Sequence, residues 1–225
     1  MLAASTTAAI CQLSALSPAG RCRTFDAAAD GYGRGEGVAV AVLGPIGSHS
    51  SCAKAIIRGS AVNQDGRSSG LTAPHGPSQS ALIRRALQQA SAGPVDAALV
   101  SLHGTGTPLG DPIEVGALGQ ALATKGTVDG SQRLTPLSLA SSKSCYGHTE
   151  GAAGLSGILM AAACLGASAV APVMHLRGLN PHVAAALGQW QWQRQQRSAS
   201  AAAVPLQPAG EHLGAIVHLY AITDL

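Results

Sequence analysis

Aromatic side chains are almost missing from this sequence, at 3% of residues, and Phe25 is its single phenylalanine. A core without aromatic anchors has to close through small residues and tight turns, and 28 glycines with abundant alanine provide for that. Charge is also scarce, at 11%, with a net of only +3 at pH 7. The basic residues are scattered and not interleaved with aromatics, which argues against nucleic acid as a main partner but suits an anionic small-molecule carrier. No Cys-x-x-Cys pair occurs, and the five cysteines, Cys11, Cys22, Cys52, Cys145 and Cys164, are odd in number. Neither a disulfide framework nor a metal site is expected, and the chain reads as one for a reducing compartment, the cytoplasm. Met1 to Leu16 is rich in Ala, Ser and Thr in the manner of a plastid transit peptide, yet it has no arginine before Arg21 and reads as a helix. The longest apolar run, Gly151 to Leu165, falls short of the about 20 residues a membrane span needs.

What is present alternates strands with helices. Ser5 or Thr6 is placed to cap a helix through Leu16, stopped by Pro18 and Gly20, and Gly37 to Leu43 reads as a buried strand. Lys54 to Ser60 reads as a second strand. Pro77 suits a first helical residue, with Ile83, Leu87 and Ala90 on one buried face. Val95 to Leu102 predicts a strand ending at His103, and Asp111-Pro112 an N-cap and first residue of a helix through Leu122. The pattern recurs: a strand over Pro136 to Ala140, a loop over Ser141 to Thr149, and a helix from Glu150 to Leu165 apolar on nearly all sides, hence buried. Beyond about Leu187 the Gln/Trp/Arg and Ala/Pro composition reads as a linker or irregular tail. The fold class is α/β and layered, with active-site groups expected on loops at strand carboxyl ends.

Two such loops carry chemistry. In His103-Gly-Thr-Gly-Thr-Pro-Leu-Gly-Asp-Pro-Ile-Glu114 the glycines let backbone approach a ligand while His103 projects from a strand end. Lys143-Ser-Cys-Tyr-Gly-His148-Thr-Glu-Gly-Ala-Ala-Gly154 puts a lysine, a histidine and a carboxylate before a buried helix, where Glu150 would compensate Lys143. Two histidines on neighbouring loops can aim N–H donors at one oxygen, as a developing enolate or oxyanion requires. No Gly-Lys-Ser/Thr ending supports a phosphate-binding reading of the glycines.

These strings, with Arg21 to Gly37, Asn63 to Pro74 and Pro172 to His182, closely resemble in sequence and order the ketosynthase (β-ketoacyl synthase) domains of type I polyketide synthases. The resemblance implies a thiolase-like α-β-α fold, here incomplete: residues 1–43 end its first half, 44–186 form its second half, and 187–225 are a divergent tail. It implies decarboxylative Claisen condensation of acyl and malonyl thioesters carried on the phosphopantetheine of an acyl carrier protein, in polyketide or fatty acid biosynthesis, with no resident cofactor. By position His103 and His148 match the catalytic histidines, and Lys143 and Glu150 a supporting pair. Lys143 is counted with the histidines as catalytic, Thr105 and Thr107 of the first loop with Glu150 as supporting, and Asp111 and Glu114 read as a cap and a helix-start carboxylate.

The family's nucleophile lies in an Asp-Thr-Ala-Cys-Ser-Ser string that does not occur here, so no residue is assigned as nucleophile. Cys11 is read as a buried helical thiol, and Cys145, beside Lys143, as a substitution for the family's asparagine. Ser101 stands where an acidic residue is usual, and His75 where asparagine is common. The leading expectation is therefore a ketosynthase portion that is not active alone and forms a homodimer or pairs with an intact relative. The alternatives are a non-catalytic dimerisation or regulatory partner and, ranked last, a malonyl-carrier decarboxylase.

Overall fold

A computed structural model describes residues 3–46, 53–66, 68, 70, 73–122 and 137–187, and the backbone of 204–205 and 215–218. Its elements in chain order are α1 (Ala4–Gln12), α2 (Gly76–Gln89), β1 (Ala97–Ser101), α3 (Gly110–Leu122) and β2 (Ser138–Ala140). There follow α4 (Lys143–Tyr146), α5 (Ala153–Ala167), β3 (Ala169–Val170), α6 (Pro181–Leu187), β4 (Val204–Pro205) and β5 (Ala215–His218).

β1 is the centre. All five of its residues are buried, and it lies parallel between β2 and β5, with Leu99 opposite Ser138 and Ala97 opposite Ala215. A parallel strand covered on both faces has to be apolar throughout, which Ala-Ala-Leu-Val supplies. A register shift between Ala97 and Leu99 puts Ala97, Val100 and Leu102 into one core and Leu99 into the other. The first core holds Ile83 and Leu87 of α2, Val115, Leu118 and Leu122 of α3, and Val183 of α6. The second joins Leu99 to Ala140, Cys164 of α5 and Val170.

α2 follows the sequence pattern, with Pro77 in its first turn and His75 as N-cap, its Nδ1 accepting from the Ser78 amide at 3.3 Å. That gives the histidine at this position a capping use. Several other expectations are corrected. α1 ends at Gln12 rather than Leu16, has Ala3 as N-cap with no side-chain cap, and buries no residue, so Cys11 is exposed. Residues 37–43 and 54–60 are not strands: Val38 and Val42 are each 95% exposed, and Ile56 and Ile57 lie open. The backbone there has no neighbouring strand to pair with among the described residues, and an unpaired strand has no ladder to define it.

The helix expected from Glu150 opens with a 3-10 turn, Glu150–Ala152, before α5. Only Ala153, Gly157, Ala161 and Cys164 of α5 are buried, while Ile158 and Leu159 face outward. One stripe packs on the sheet and the rest of an all-apolar helix stays uncovered. By length and composition alone the 18-residue run Glu150–Ala167 is comparable to a membrane span, and its buried stripe packs on the sheet as a core helix does. The tail is not wholly irregular: β4 pairs antiparallel with β3, and β5 extends the central sheet. Residue 136 and most of the proposed tail lie outside the described residues.

Leu118 of α3 is fully buried in the first core. Leu118→Ala should cost about 2–5 kcal/mol, read as a lowered denaturation midpoint, whereas Leu159→Ala on the open face of α5 should move it far less.

Candidate active site

β1 delivers His103 at the head of a glycine turn whose backbone donors have no ladder partner. Two carboxylates from the start of α3 supply the acceptors. Glu114 accepts the amides of His103 (2.6 Å) and Gly104 (2.9 Å), and Asp111 accepts those of Gly106 (3.1 Å) and Phe25 (2.8 Å). Gly104 and Gly106 take φ of +48° and +77°, and a Cβ on Gly106 would stand 2.6 Å from the Arg23 nitrogen. Side chains are excluded at both positions.

Asp111 therefore does not cap the helix as the sequence suggested. It sits inside α3, and Thr107 Oγ1 takes the Gly110 amide at 3.1 Å instead. Thr105 Oγ1 lies 3.4 Å from Thr107 Oγ1, so both threonines shape the turn. Ser101 closes β1 with a buried hydroxyl that has no hydrogen-bond partner among the described residues.

The second loop leaves β2 through Ser141, whose hydroxyl reaches the carbonyls of His103 (3.3 Å) and Gly104 (3.4 Å). It then forms α4 where a plain loop was expected. His148 follows Gly147 at φ +76°, donates its amide to the Gly33 carbonyl at 2.7 Å and accepts at its own carbonyl from Gly35 at 3.0 Å. The segment around residues 24–35 thus ties the two loops, since Thr24 Oγ1 also donates to the Gly104 carbonyl at 2.6 Å and the Gly31 amide to Gly106 at 3.1 Å.

The tie brings the two histidines together. Their ring centroids are 5.2 Å apart at 85°, and the Tyr32 ring lies 5.1 Å from His148, tilted by 58°. The Glu150 amide donates to His148 Nδ1 at 3.0 Å, so the neutral ring carries its proton on Nε2. Glu150 adopts φ +50° to do this, a strained conformation for a non-glycine residue. Burial, then the charges of Lys143 and Arg34, lower the His148 pKa to about 4. His148 is thereby a neutral N–H donor at neutral pH.

Lys143 is buried as expected, but not against Glu150. The Glu150 carboxylate pairs with Arg34 at 2.9 Å and stands partly in solvent. Burial lowers the Lys143 pKa, and the negative charges that favour its ammonium are Glu114 first and then Asp111. Burial raises Glu114 and pushes Asp111 up to about 6, against the backbone bonds that lower them. The buried charge network is Lys143–Glu114–Asp111. An Asp-Pro-x-Glu spacing beside orphan glycine amides is the signal that could have revealed it. Nothing at the level of single residues pointed to Arg34, Tyr32 or Gly33.

Among the described cysteines none takes the nucleophile's place. Cys22 is buried, its Sγ 3.4 Å from the Gly33 carbonyl, with a pKa raised chiefly by burial. Cys164 is in the core, while Cys11 and Cys145 are exposed, and Cys52 lies outside the described residues.

Comparison with known proteins places this arrangement. Residues 54–177 match the family model of the β-ketoacyl synthase C-terminal domain, and residues 1–46 that of the N-terminal domain. A spectinabilin polyketide synthase system protein of Streptomyces orinoci is 46% identical over 80% of this chain, which covers 5% of that protein. The ketosynthase from module 6 of the Bacillus subtilis bacillaene synthase superposes with a TM-score of 0.73 at 34% identity, over 81% of this chain and 32% of the other. An oxazolomycin ketosynthase domain of Streptomyces albus gives a TM-score of 0.80 at 29% identity, over 95% and 35%. The chain therefore spans about a third of these ketosynthase structures. It belongs to the β-ketoacyl synthase family, as part of a ketosynthase domain of the type I polyketide synthase kind with a thiolase-like fold.

Proposed function

We propose that this chain is the histidine-bearing portion of a condensing enzyme and is not active alone. In the reaction a cysteine of the complementary portion holds the acyl chain as a thioester. A malonyl thioester on the phosphopantetheine of an acyl carrier protein then loses carbon dioxide, and the electrons of the broken C–C bond pass to an enolate. The enolate carbon attacks the acyl carbonyl, and the cysteine leaves as thiolate. His103 and His148 stabilise the enolate oxygen, Lys143 with Glu114 and Asp111 holds the site's charge balance, and Glu150 orients His148. The observation that carries this reading is the histidine pair at 5.2 Å, with the His148 Nδ1 already occupied so that Nε2–H is the donor. The product belongs to polyketide biosynthesis, the setting the relatives' names share, or to fatty acid biosynthesis. The working location is the cytoplasm, with residues 1–43 closing the first half of the domain, 44–186 forming the second and 187–225 a tail.

A second reading, a non-condensing partner that dimerises with or regulates an intact ketosynthase, is favoured by the open apolar segments at 37–43 and 54–60. Co-purification separates the two: the partner reading requires a stable complex with an intact ketosynthase, the enzyme reading a gain of activity with the cysteine portion.

Co-expressed with the cysteine-bearing N-terminal portion of a related ketosynthase, the chain should release carbon dioxide from malonyl carrier protein. His148→Ala should lower that rate about 10²–10³-fold, and an unchanged rate would sink the assignment.

A second expectation concerns protonation. Because the folded His148 pKa is below the ordinary 6.5, its contribution to stability is full above pH 6.5 and fades as pH falls towards about 4. Imidazole NMR titration of the chain should place its midpoint near 4; a midpoint near 6.5 would contradict the neutral-donor role.

A further inference from the structure

Arg34 is a guanidinium buried beyond the needs of its ion pair. Its side chain is only 7% exposed, Nη2 meets Glu150 at 2.9 Å, and Nε and Nη1 have no hydrogen-bond partner among the described residues. Nε and Nη1 are closed off from solvent, so Arg34 acts on its surroundings through the positive charge of the guanidinium. Arg34 lines a cavity of about 170 Å³ together with Arg21, Lys143 and His175, with Cys22 and Cys145 among its other walls. Neither histidine of the catalytic pair lines it, and no aspartate or glutamate does among the described residues.

The carboxylates that offset two of these cations stand outside the cavity wall. Glu150 offsets Arg34 and lies outside the lining, while Glu114 and Asp111, which offset Lys143, are drawn towards their protonated forms by burial. Arg21 at the rim makes no ion pair within 4 Å among the described residues. His175 senses the excess: burial first, then Arg21, Arg177 and Arg23, lower its pKa. Asp26 and Asp30 are engaged elsewhere, Asp26 by the amides of Arg177 and Gly178 and Asp30 by Arg23.

We propose that this cavity is an oxyanion site, with Arg34, Lys143 and Arg21 taking a phosphoryl or carboxylate group. The space is several times the roughly 30 Å³ share of a water molecule, enough for phosphate or a short carboxylate. A phosphate ester and a carboxylic acid would offer the same acceptor oxygens to the guanidinium and ammonium donors.

The two cysteines that are exposed among the described residues make the test possible on the unmodified chain. Cys145 stands on the cavity wall, and Cys11 on α1 serves as an internal reference. Alkylation by anionic iodoacetate and by neutral iodoacetamide is measured at each site by mass spectrometry at constant ionic strength. The iodoacetate-to-iodoacetamide rate ratio should be about three- to tenfold higher at Cys145 than at Cys11. Inorganic phosphate or acetate should lower the Cys145 ratio while sparing Cys11. A stronger effect of phosphate would assign a phosphoryl ligand, and a stronger effect of acetate a carboxylate. Arg21→Gln, at the exposed rim, should reduce the ratio without threatening the fold; Arg34→Gln should abolish the competition. Equal ratios at the two cysteines, or chloride competing as well as phosphate, would overturn the site.

Discussion

A strand that runs into a glycine turn leaves backbone amides without ladder partners, and burying them demands acceptors from elsewhere. Here those amides belong to His103, Gly104 and Gly106, and Glu114 and Asp111 answer them from the first turns of α3. The rest of the site depends on this arrangement. With the first loop fixed, Thr24 and Gly31 can bind its carbonyls, and the same segment, through Gly33 and Gly35, sets the backbone of His148. The cost is two carboxylates with little water around them, which brings Lys143 into the interior as their counter-charge.

Much of this was legible beforehand, and the parts that were not share a cause. β1, α2 and α3 are local patterns with strong turn signals, and their sequence boundaries hold to within a few residues. The two histidines were readable as a pair because each lies on a loop that follows a strand of one parallel sheet, His103 just past β1 and His148 beyond β2 and α4. The partner of Lys143 was not, because sequence proximity favoured Glu150 while the fold turns Glu150 outward to Arg34 and brings Glu114 from a different helix. Side-chain direction at a positive-φ residue is a tertiary outcome that no local pattern announces.

The failures over 37–43, 54–60, α1 and the outer face of α5 run the other way. Each has the apolar pattern of a buried element, and each is open. Burial depends on what lies against a segment, and the pattern reports only what the segment is suited to meet. The described residues provide no strand for 37–43 to join, while the chain matches only 32% to 35% of the ketosynthase structures it resembles. The open faces and the lack of an Asp-Thr-Ala-Cys-Ser-Ser string go with a chain that spans about a third of those structures.

Hydrogen exchange tests that account most directly. The chain is measured alone and then assembled with the cysteine-bearing N-terminal portion of a related ketosynthase. The account predicts that the amides of Val38, Val40 and Val42 exchange freely in the first case and are protected about a hundredfold or more in the second, as ladder hydrogen bonds form. Unchanged exchange across these residues in a mixture that stays soluble would contradict it.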